Sequence, residues 1–260
     1  MKIVVIGGTG RIGSRVVQRL SEAGHEAVAA APQTGVDILS GKGLDEAMAG
    51  TSVVVDLANS PTFTGDAPVE FFRTAGNNLI TAEKKAGVSH HVALSVVGTE
   101  RLAANDYFRA KLEQERLIRE SGIPYTIIHS TQFFEFLPAI IESGAHDGTV
   151  RLPSALVQPI AAEDVATAVA RFALQAPANG IVDIAGPERA PMPELARRFM
   201  QATKDTRDVI GDPDALYYGG KIASDTLVPT GEAWKGAKGF DAWFAQSDYA
   251  KGKPEQRTPG

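Results

Sequence analysis

The sequence predicts an α/β protein built on a doubly wound parallel sheet, with a small lobe toward the C-terminus. A β-branched run at the start of the chain leads through a glycine-rich turn into a helix. Apolar, strand-like runs then alternate with helical stretches up to about residue 130. Parallel strands joined by helices form right-handed crossovers that cover both faces of a sheet. The alternation therefore predicts a Rossmann-like core.

Hydrophobic periodicity and turn residues predict the elements of this core. The predicted strands cover residues 2–6, 27–30, 53–57, 91–95, 125–128 and 181–184, and the predicted helices cover residues 14–20, 44–49, 69–86, 107–120, 162–174 and 193–202. The run at residues 53–57 is apolar at nearly every position, which is typical of a strand buried on both faces. The helix at residues 69–86 is expected to end at Gly87, because glycine accommodates the turn that follows a helix.

The alternation stops after residue 131, where an aromatic run precedes a loop or hairpin. From residue 211 onward the chain carries many glycines and isolated aromatic residues, which we interpret as helices of a substrate lobe followed by a frayed tail. We therefore predict a single domain over residues 1–260, with elements of the C-terminal substrate lobe at about residues 131–160 and 185–250.

Composition excludes several classes of function. The formal net charge is -5 and no basic run is interleaved with aromatic residues, which argues against nucleic acid as a partner. The chain has no cysteine, so disulfides, thiol nucleophiles and cysteine metal sites are excluded. The first apolar run is too short for a signal peptide or a membrane span, and the histidines form no metal-ligand set. We therefore expect a cytoplasmic protein that binds a small-molecule substrate, and neither membrane nor metal.

The glycine-rich turn predicts a cradle for the phosphates of a dinucleotide. Gly7 permits the tight turn, Gly10 lets the backbone approach the pyrophosphate, and Gly13 lets the helix pack close to the strand. The start of the helix supplies unpaired N–H groups and a partial positive charge. The alternative is an ordinary strand–helix turn. The predicted cofactor contacts in the turn are Gly7, Thr9, Gly10, Arg11, Ile12 and Gly13.

Residues 30–34, after the second predicted strand, include no acid. An NAD-specific site usually places Asp or Glu there, and that carboxylate would repel a 2′-phosphate. We therefore expect NADP(H) as the preferred cofactor, with NAD(H) as the alternative. Arg11 would pair with the 2′-phosphate, unless it is only a solvated arginine at the start of a helix. Asn59 and Ser60 follow the third predicted strand and should line the cofactor groove.

Tyr107 and Lys111 occupy positions i and i+4 of a predicted helix, which would bring the ammonium near the phenol. A neighbouring cation lowers a phenol pKa from its usual value of about 10, so Tyr107 would exchange a proton with a carbonyl group. Ser95 ends a predicted strand and would bind the carbonyl oxygen. Tyr217 and Tyr249 are also each followed by a lysine four residues later, but the glycines in between disfavour a helix. The alternative is a surface tyrosine beside a solvated lysine.

These motifs together resemble the short-chain dehydrogenase/reductase superfamily. The glycine turn, Ser95 and the pattern Tyr107-x-x-x-Lys111 carry this resemblance. The G-x-x-G-x-x-G spacing, residues 123–128 and the following Thr131-Gln132-Phe133 resemble its atypical, NmrA-like branch.

The resemblance covers about residues 1–200 and implies NAD(P) bound in an extended groove below a small lobe. It implies that Lys111 also holds the nicotinamide ribose. Asp37 resembles the acid that meets the adenine amino group in this family, although it would equally suit the start of a turn.

The residues after the fifth predicted strand are candidates for the substrate pocket, because open α/β sheets bind ligands at the carboxyl ends of their strands. We expect them to line the nicotinamide and the substrate, although an aromatic run would equally suit the packing of the lobe. The candidates are Thr131, Gln132, Phe133 and Phe134.

The sequence thus predicts an NADP(H)-dependent oxidoreductase that acts on a small carbonyl, quinone or alcohol by hydride transfer, with Tyr107 as the acid/base. Two alternatives remain. Several NmrA-like proteins lack the catalytic tyrosine and act as cofactor sensors, so a non-catalytic NADP(H)-sensing regulator is one. A sugar-nucleotide epimerase is the other, although the C-terminal region holds few of the arginines that would bind a diphosphate.

Overall fold

The computed structural model describes residues 1–252. Its strands, in chain order, are β1 (Lys2–Ile6), β2 (Glu26–Ala30), β3 (Thr51–Asp56), β4 (His90–Val96), β5 (Tyr125–Ser130), β6 (Ala145–His146), β7 (Thr149–Pro153), β8 (Leu156–Val157), β9 (Gly180–Ala185), β10 (Ala190–Pro191), β11 (Asp208–Asp212) and β12 (Trp234–Lys235). Its α-helices are α1 (Arg11–Glu22), α2 (Leu44–Met48), α3 (Ala67–Ala86), α4 (Asp106–Glu120), α5 (Leu137–Ser143), α6 (Ala162–Ala173), α7 (Met192–Thr203) and α8 (Phe240–Gln246).

The central sheet confirms the predicted doubly wound architecture. Its seven strands lie in the order β12-β9-β5-β4-β3-β1-β2, and every neighbouring pair is parallel. The chain runs from β1 to β2 on one side and then crosses to β3 on the other side of β1. The order therefore reverses between β1 and β3, and such a reversal opens a ligand crevice at the carboxyl ends of the strands.

Helices cover both faces of this sheet, which explains the unbroken apolar runs of its strands. Val4 and Val5 are both fully buried, although successive side chains of a strand point to opposite faces. Val5 belongs to the core on the face of α1 and α6, together with Val16 and Val169. Val4 belongs to the core that contains Leu79 of α3.

Local chemistry sets the start of α4 and the end of α3. The side chain of Asn105 caps α4, accepting hydrogen bonds from the backbone N–H of Tyr107 (3.0 Å) and of Phe108 (3.4 Å). At the other helix, α3 ends where Gly87 adopts a left-handed conformation with φ of 70°, as the sequence predicted.

A further core, the lobe core, lies in the region that the sequence assigned to a substrate lobe. It brings together side chains of α5, β7, α7 and α8. The rings of Phe134 and Trp243 stack with their centroids 5.2 Å apart, and Phe199 packs beside Trp243. The expected hairpin is present, because β6 and β7 pair in antiparallel fashion.

The prediction of several lobe helices after residue 211 is wrong within the described residues. That part of the chain forms a single α-helix, α8, and the short strand β12, which extends the central sheet beside β9. A two-residue strand carries no detectable periodicity, so only its pairing with β9 reveals it. The last part of the predicted tail, residues 253–260, lies outside the described residues.

The buried ring of His90 in β4 is expected to make stability depend on pH. Its Nε2 atom lies 2.9 Å from the Thr126 hydroxyl, and burial, aided by the neighbouring His91, lowers its pKa to about 4. Between the ordinary value of about 6.5 and this lowered pKa, the unfolded chain binds more protons than the folded protein. The contribution of His90 to stability is therefore present above that window and is lost as the pH falls through it.

We expect His90→Asn to reduce the loss of unfolding free energy between pH 6.5 and pH 4.5, as measured by urea unfolding at a series of pH values. His146→Asn is the matched control, because the His146 side chain is exposed. An unchanged acid slope in His90→Asn would contradict this account.

Candidate functional site

The glycine turn forms a cradle that side chains would fill. Gly7 has φ of 71°, in the left-handed region that favours glycine. A Cβ atom at Gly13 would lie 2.1 Å from the Gly7 carbonyl oxygen, and one at Gly8 would lie 2.6 Å from the Cα atom of Ala29. The turn therefore packs against both α1 and β2 at distances that exclude a methyl group. The close packing of Gly8 is not apparent from the glycine spacing.

The first turn of α1 presents its backbone N–H groups without a competing cap. Gly10 is the N-cap residue and has no side chain to bond to them, and the first turn contains no acid. A helix start of this kind attracts phosphate. The cradle thus fits the pyrophosphate of a dinucleotide at the point where the strand order reverses.

Two residues near the end of β2 are engaged in local hydrogen bonds. The Thr9 hydroxyl donates to Gln33 Oε1 over 3.4 Å, which joins the glycine turn to the segment after β2. The carboxylate of Asp37 accepts from the Ser40 hydroxyl (2.7 Å) and from the Leu39 N–H (2.9 Å), and these bonds lower its pKa. Asp37 therefore starts a turn, which was the alternative to a role in binding adenine. Its contact with adenine stays a prediction.

Asn59 and Ser60 shape the loop that follows β3. The Asn59 side-chain oxygen accepts from the Ser60 N–H at 3.1 Å, and the buried Ser60 hydroxyl accepts from the Thr62 N–H at 3.2 Å. The loop begins beside the glycine turn, since a Cβ atom at Gly7 would lie 3.1 Å from the Leu57 carbonyl oxygen. Both residues thus flank the crevice, and their contact with a nucleotide stays a prediction.

Arg11 begins α1 and lies within electrostatic range of Glu135 in the segment after β5. Burial raises the pKa of Glu135, and the charge of Arg11 is among the interactions that oppose this rise. The same carboxylate accepts from Trp243 Nε1 at 2.9 Å and from the Ala162 N–H at 3.2 Å. The expected pairing of Arg11 with a 2′-phosphate stays a prediction.

Tyr107 lies in the first turn of α4, half-buried among aromatic rings. The rings of Phe63 and Phe108 approach it edge-on, at centroid distances of 5.3 and 5.8 Å. Within residues 1–252 no hydrogen bond engages its hydroxyl group. Burial raises its pKa to about 12, so the expectation that Lys111 lowers this pKa is wrong here. The phenol is therefore neutral at pH 7, in the form that donates a proton.

The ammonium of Lys111 points toward the sheet, which explains its failure to lower the pKa of Tyr107. Its Nζ atom donates to the Leu94 carbonyl oxygen at 2.8 Å and to Gln114 Oε1, and it lies 4.7 Å from the centroid of the Phe72 ring. Lys111 is only 2% exposed, and this burial lowers its pKa to about 8.

Ser95 lies near the end of β4, as predicted, but its hydroxyl has a partner inside the protein. It donates to Glu115 Oε1 at 2.5 Å. The same oxygen lies 2.9 Å from His129 Nε2, and Arg119 donates to the other carboxylate oxygen at 2.7 Å. The sequence analysis missed Glu115, although its position four residues after Lys111 places it on the same helix face. A contact between Ser95 and substrate stays a prediction.

Three of the four candidate pocket residues pack against protein groups. The Thr131 hydroxyl donates to the Gln158 carbonyl oxygen at 2.7 Å. Phe133 stacks on the exposed Phe136, with ring centroids 5.3 Å apart. Phe134 is 2% exposed within the lobe core, which agrees with the alternative that the aromatic run packs the lobe. Their place in a substrate pocket stays a prediction.

Gln132 differs from these neighbours because its side-chain amide lacks a partner. The residue is 7% exposed, and neither Nε2 nor Oε1 makes a hydrogen bond to the described part of the protein. A buried polar group without a partner costs about 1–3 kcal/mol. A ligand with both a donor and an acceptor group would remove that cost.

The family of the chain follows from its cofactor cradle and its sequence. A model of a family described as NAD(P)H-binding matches residues 7–176, which include the whole glycine turn and the Tyr107–Lys111 pair. The chain belongs to this NAD(P)H-binding family. Its core is accordingly an NAD(P)-binding, Rossmann-like domain.

Several relatives are reductases. The chain is 30% identical over 218 residues to an NAD(P)H azoreductase of Xenophilus azovorans, over 77% of this chain and 73% of that protein. It is 33% identical over 144 residues to the (4-alkanoyl-5-oxo-2,5-dihydrofuran-3-yl)methyl phosphate reductase of Streptomyces griseus, over 50% of this chain. That match spans 48% of the Streptomyces protein, about half of its length.

A solved structure supports the fold. The triphenylmethane reductase of a Citrobacter species, complexed with NADP(H), superposes with a TM-score of 0.61. The superposition covers 83% of this chain and 80% of that one at 21% identity, so the likeness concerns the fold alone.

The described residues include neither a helix suited to span a membrane nor a group of side chains suited to hold a metal ion. Within residues 1–252, no helix combines the length and the apolar character needed to span a membrane. No group of three or more His, Asp or Glu side chains in that range is placed to hold a metal ion.

Gly13→Ala tests the cradle. The new methyl group would overlap the Gly7 carbonyl oxygen, so the start of α1 must move away from the turn. Overpacking of this kind costs about 1–3 kcal/mol of stability. We expect a lower melting temperature and at least tenfold weaker NADPH binding, as measured by calorimetry.

Gly231→Ala serves as the control, because a Cβ atom there meets no heavy atom within 4 Å. Wild-type NADPH affinity in Gly13→Ala would contradict the assignment of the cradle.

Proposed function

We propose that this protein is an NADP(H)-dependent oxidoreductase that reduces a small carbonyl or quinone, or oxidises the corresponding alcohol, by hydride transfer. The observation that carries the proposal is the Tyr107 hydroxyl, which is protonated, lacks a hydrogen-bond partner within the described residues and belongs to an NAD(P)H-binding domain. The relatives named above are reductases, which agrees with this class of reaction.

Tyr107 would act as the proton donor in the direction of reduction. Bound NADPH supplies a hydride to the substrate carbon. The Tyr107 O–H bond then breaks, its proton passes to the carbonyl oxygen, and an alcohol results. The phenolate that remains takes a proton from water. Burial disfavours this phenolate and so makes Tyr107 a weaker acid, but an alkoxide is a stronger base than a phenolate, so the transfer of the phenol proton to a developing alkoxide is still downhill.

Lys111 would hold the ribose next to the nicotinamide. An ammonium has three N–H donors, and two of them bind Leu94 and Gln114. The third would donate to a ribose hydroxyl. This role agrees with the one implied by the resemblance to short-chain reductases, and it does not require Lys111 to touch Tyr107.

Aromatic side chains around Tyr107 favour a flat substrate such as a quinone. Phe63 contacts the Tyr107 ring and is 54% exposed, while Tyr218 is 47% exposed and packs edge-on against Tyr217. Tyr107 lies close enough to Tyr217 to contribute to the raised pKa of that residue. Exposed rings of this kind offer stacking surfaces to a planar ligand.

The proposed preference for NADP(H) rests on the segment after β2. Its first residues, 31–34, include no carboxylate to repel a 2′-phosphate, and Gln33 and Thr34 offer polar groups instead. Arg11 would add its positive charge if its side chain turned from Glu135 toward the 2′-phosphate.

A non-catalytic NADP(H) sensor of the NmrA-like kind is the second candidate. It is favoured by the partners of the supposed catalytic groups, because the Ser95 hydroxyl binds Glu115 and the Lys111 ammonium points toward the sheet. Such a protein would bind NADPH without turning over any substrate.

Tyr107→Phe tests the chemistry. The change removes the hydroxyl and keeps the ring between Phe63 and Phe108. General acid catalysis contributes about 10²–10⁴ to the rate, so we expect NADPH oxidation with a quinone or carbonyl substrate to fall at least 100-fold. Nucleotide affinity, measured by calorimetry with NADPH and with NADH, should stay unchanged and should favour NADPH.

The matched control is Tyr125→Phe, at the opposite end of the parallel strands, which should keep wild-type turnover. Full activity in Tyr107→Phe would disprove the role of the phenol. NADPH binding by the wild-type protein without turnover of any quinone or carbonyl would instead support the sensor.

Gln132→Leu tests the orphaned amide. If the amide binds substrate, we expect the KM to rise about 5- to 100-fold, in line with the loss of a hydrogen bond to a buried group. The melting temperature should rise, because an unsatisfied polar group leaves the interior. NADPH affinity should not change.

Gln18→Leu, on the exposed surface of α1, controls for the loss of an amide. A lower melting temperature of Gln132→Leu with unchanged KM would show that the amide serves the fold.

A further inference from the structure

A buried chain of hydrogen bonds links Lys111 to a carboxylate below the crevice. Lys111 donates to Gln114 Oε1, and Gln114 Nε2 donates to Asp56 Oδ2 at 2.6 Å. Asp56 Oδ1 in turn accepts from the Ala58 N–H at 2.9 Å. The side chains of Lys111, Gln114 and Asp56 belong to residues that are 2%, 3% and 5% exposed. The chain is therefore shielded from water along its length.

The carboxylate of Asp56 determines which way the Gln114 amide faces. A carboxylate only accepts hydrogen bonds and an ammonium only donates them, so the amide nitrogen must face Asp56 and the amide oxygen must face Lys111. The reversed amide would set two donors against each other and two acceptors against each other. Asp56 thus orients Gln114, and Gln114 in turn orients the ammonium.

We propose that Gln114 and Asp56 are positioning residues that keep Lys111 charged and direct its remaining N–H toward the ribose of bound NADP(H). The consequence for turnover rests on the proposed reductase function. The consequence for nucleotide affinity rests on membership of the NAD(P)H-binding family and on the proposed contact of Lys111 with the ribose, and it does not depend on turnover.

Two carboxylates oppose the effect of burial on the charge of Lys111. Phe72 of α3 and the Leu94 carbonyl of β4 face the ammonium, and neither carries a full charge. Burial lowers the pKa of Lys111 to about 8, while Asp56 of β3 and Glu115 of α4 act in the opposite direction. Without them, an ammonium this deeply buried would lose its proton at a lower pH.

Other titratable groups bear on those two carboxylates. His91 of β4 lies near Asp56 and is hydrogen-bonded to Glu83 of α3 at 2.8 Å. His129 of β5 contacts Glu115 at 2.9 Å. Gln114 belongs to neither of these histidine–carboxylate pairs. Substitution of Gln114 therefore leaves the hydrogen bonds of both pairs in place.

The proposal predicts a particular dependence of nucleotide binding on pH. Lys111 is charged below its pKa of about 8 and loses its charge above it. NADPH affinity should therefore fall as the pH rises through that value. In Gln114→Leu the ammonium loses its acceptor, and the midpoint of this fall should move down by about one pH unit, which is a tenfold change in proton affinity.

The experiment measures the NADPH dissociation constant by calorimetry from pH 7 to pH 10, a range in which the 2′-phosphate keeps its charge. The pH profile of kcat/KM is recorded in parallel. Asp56→Asn is the second variant, because it keeps the size of the side chain and removes the charge that orients the amide. It should shift the midpoint in the same direction. Gln18→Leu should behave as the wild type.

Each result decides the proposal. A shifted midpoint in both variants supports it. Weaker binding by the same factor at every pH would overturn it, since loss of packing alone behaves in this way. If the affinity midpoint shifts and no substrate is turned over at any pH, the positioning role stands and the reductase function fails. If turnover is present and neither midpoint shifts, the reductase function stands and the positioning role fails.

Discussion

The close approach of helix α1 to the end of β1 is the constraint on which the rest of the structure depends. It requires Gly13 to lack a side chain, because a methyl group would overlap the Gly7 carbonyl oxygen, and it requires the same of Gly8 beside Ala29. This contact sets the first turn of α1 above the reversal of strand order between β1 and β3. An uncapped helix start and a sheet crevice therefore coincide, and together they suit a dinucleotide.

A layer of buried charge lies between the central sheet and helices α3 and α4. Asp56, Glu83 and Glu115 are all within this layer, and each has a hydrogen-bond donor or a histidine as its partner. Charges removed from water stabilise a fold poorly unless their partners are well placed, so the partner of each carboxylate limits the cost of its burial. Within this layer, Asp56 is linked through Gln114 to Lys111 of α4.

The lobe core contains a cluster of aromatic rings. Rings of α7, α8 and the segment after β5 pack against one another, while Phe63 and Tyr218 remain exposed near Tyr107. Exposed rings of this kind offer stacking surfaces to a flat molecule. The amide of Gln132, which has no hydrogen-bond partner among residues 1–252, adds a polar feature after β5, where open sheets bind ligands.

Sequence alone determined the architecture of the central sheet, because the signals for it are local. Residues 7–13 lie between a strand and a helix, Gly87 ends α3, and the spacing of Tyr107 and Lys111 puts both on one helix face. Tertiary structure decided where those side chains point. Lys111 turns to the Leu94 carbonyl, Ser95 binds Glu115, and β12 joins the sheet far from its neighbours in the chain. Hydrogen bonding in a buried layer depends on which groups the fold brings together from distant segments, and periodicity along one segment carries no information about its distant partners.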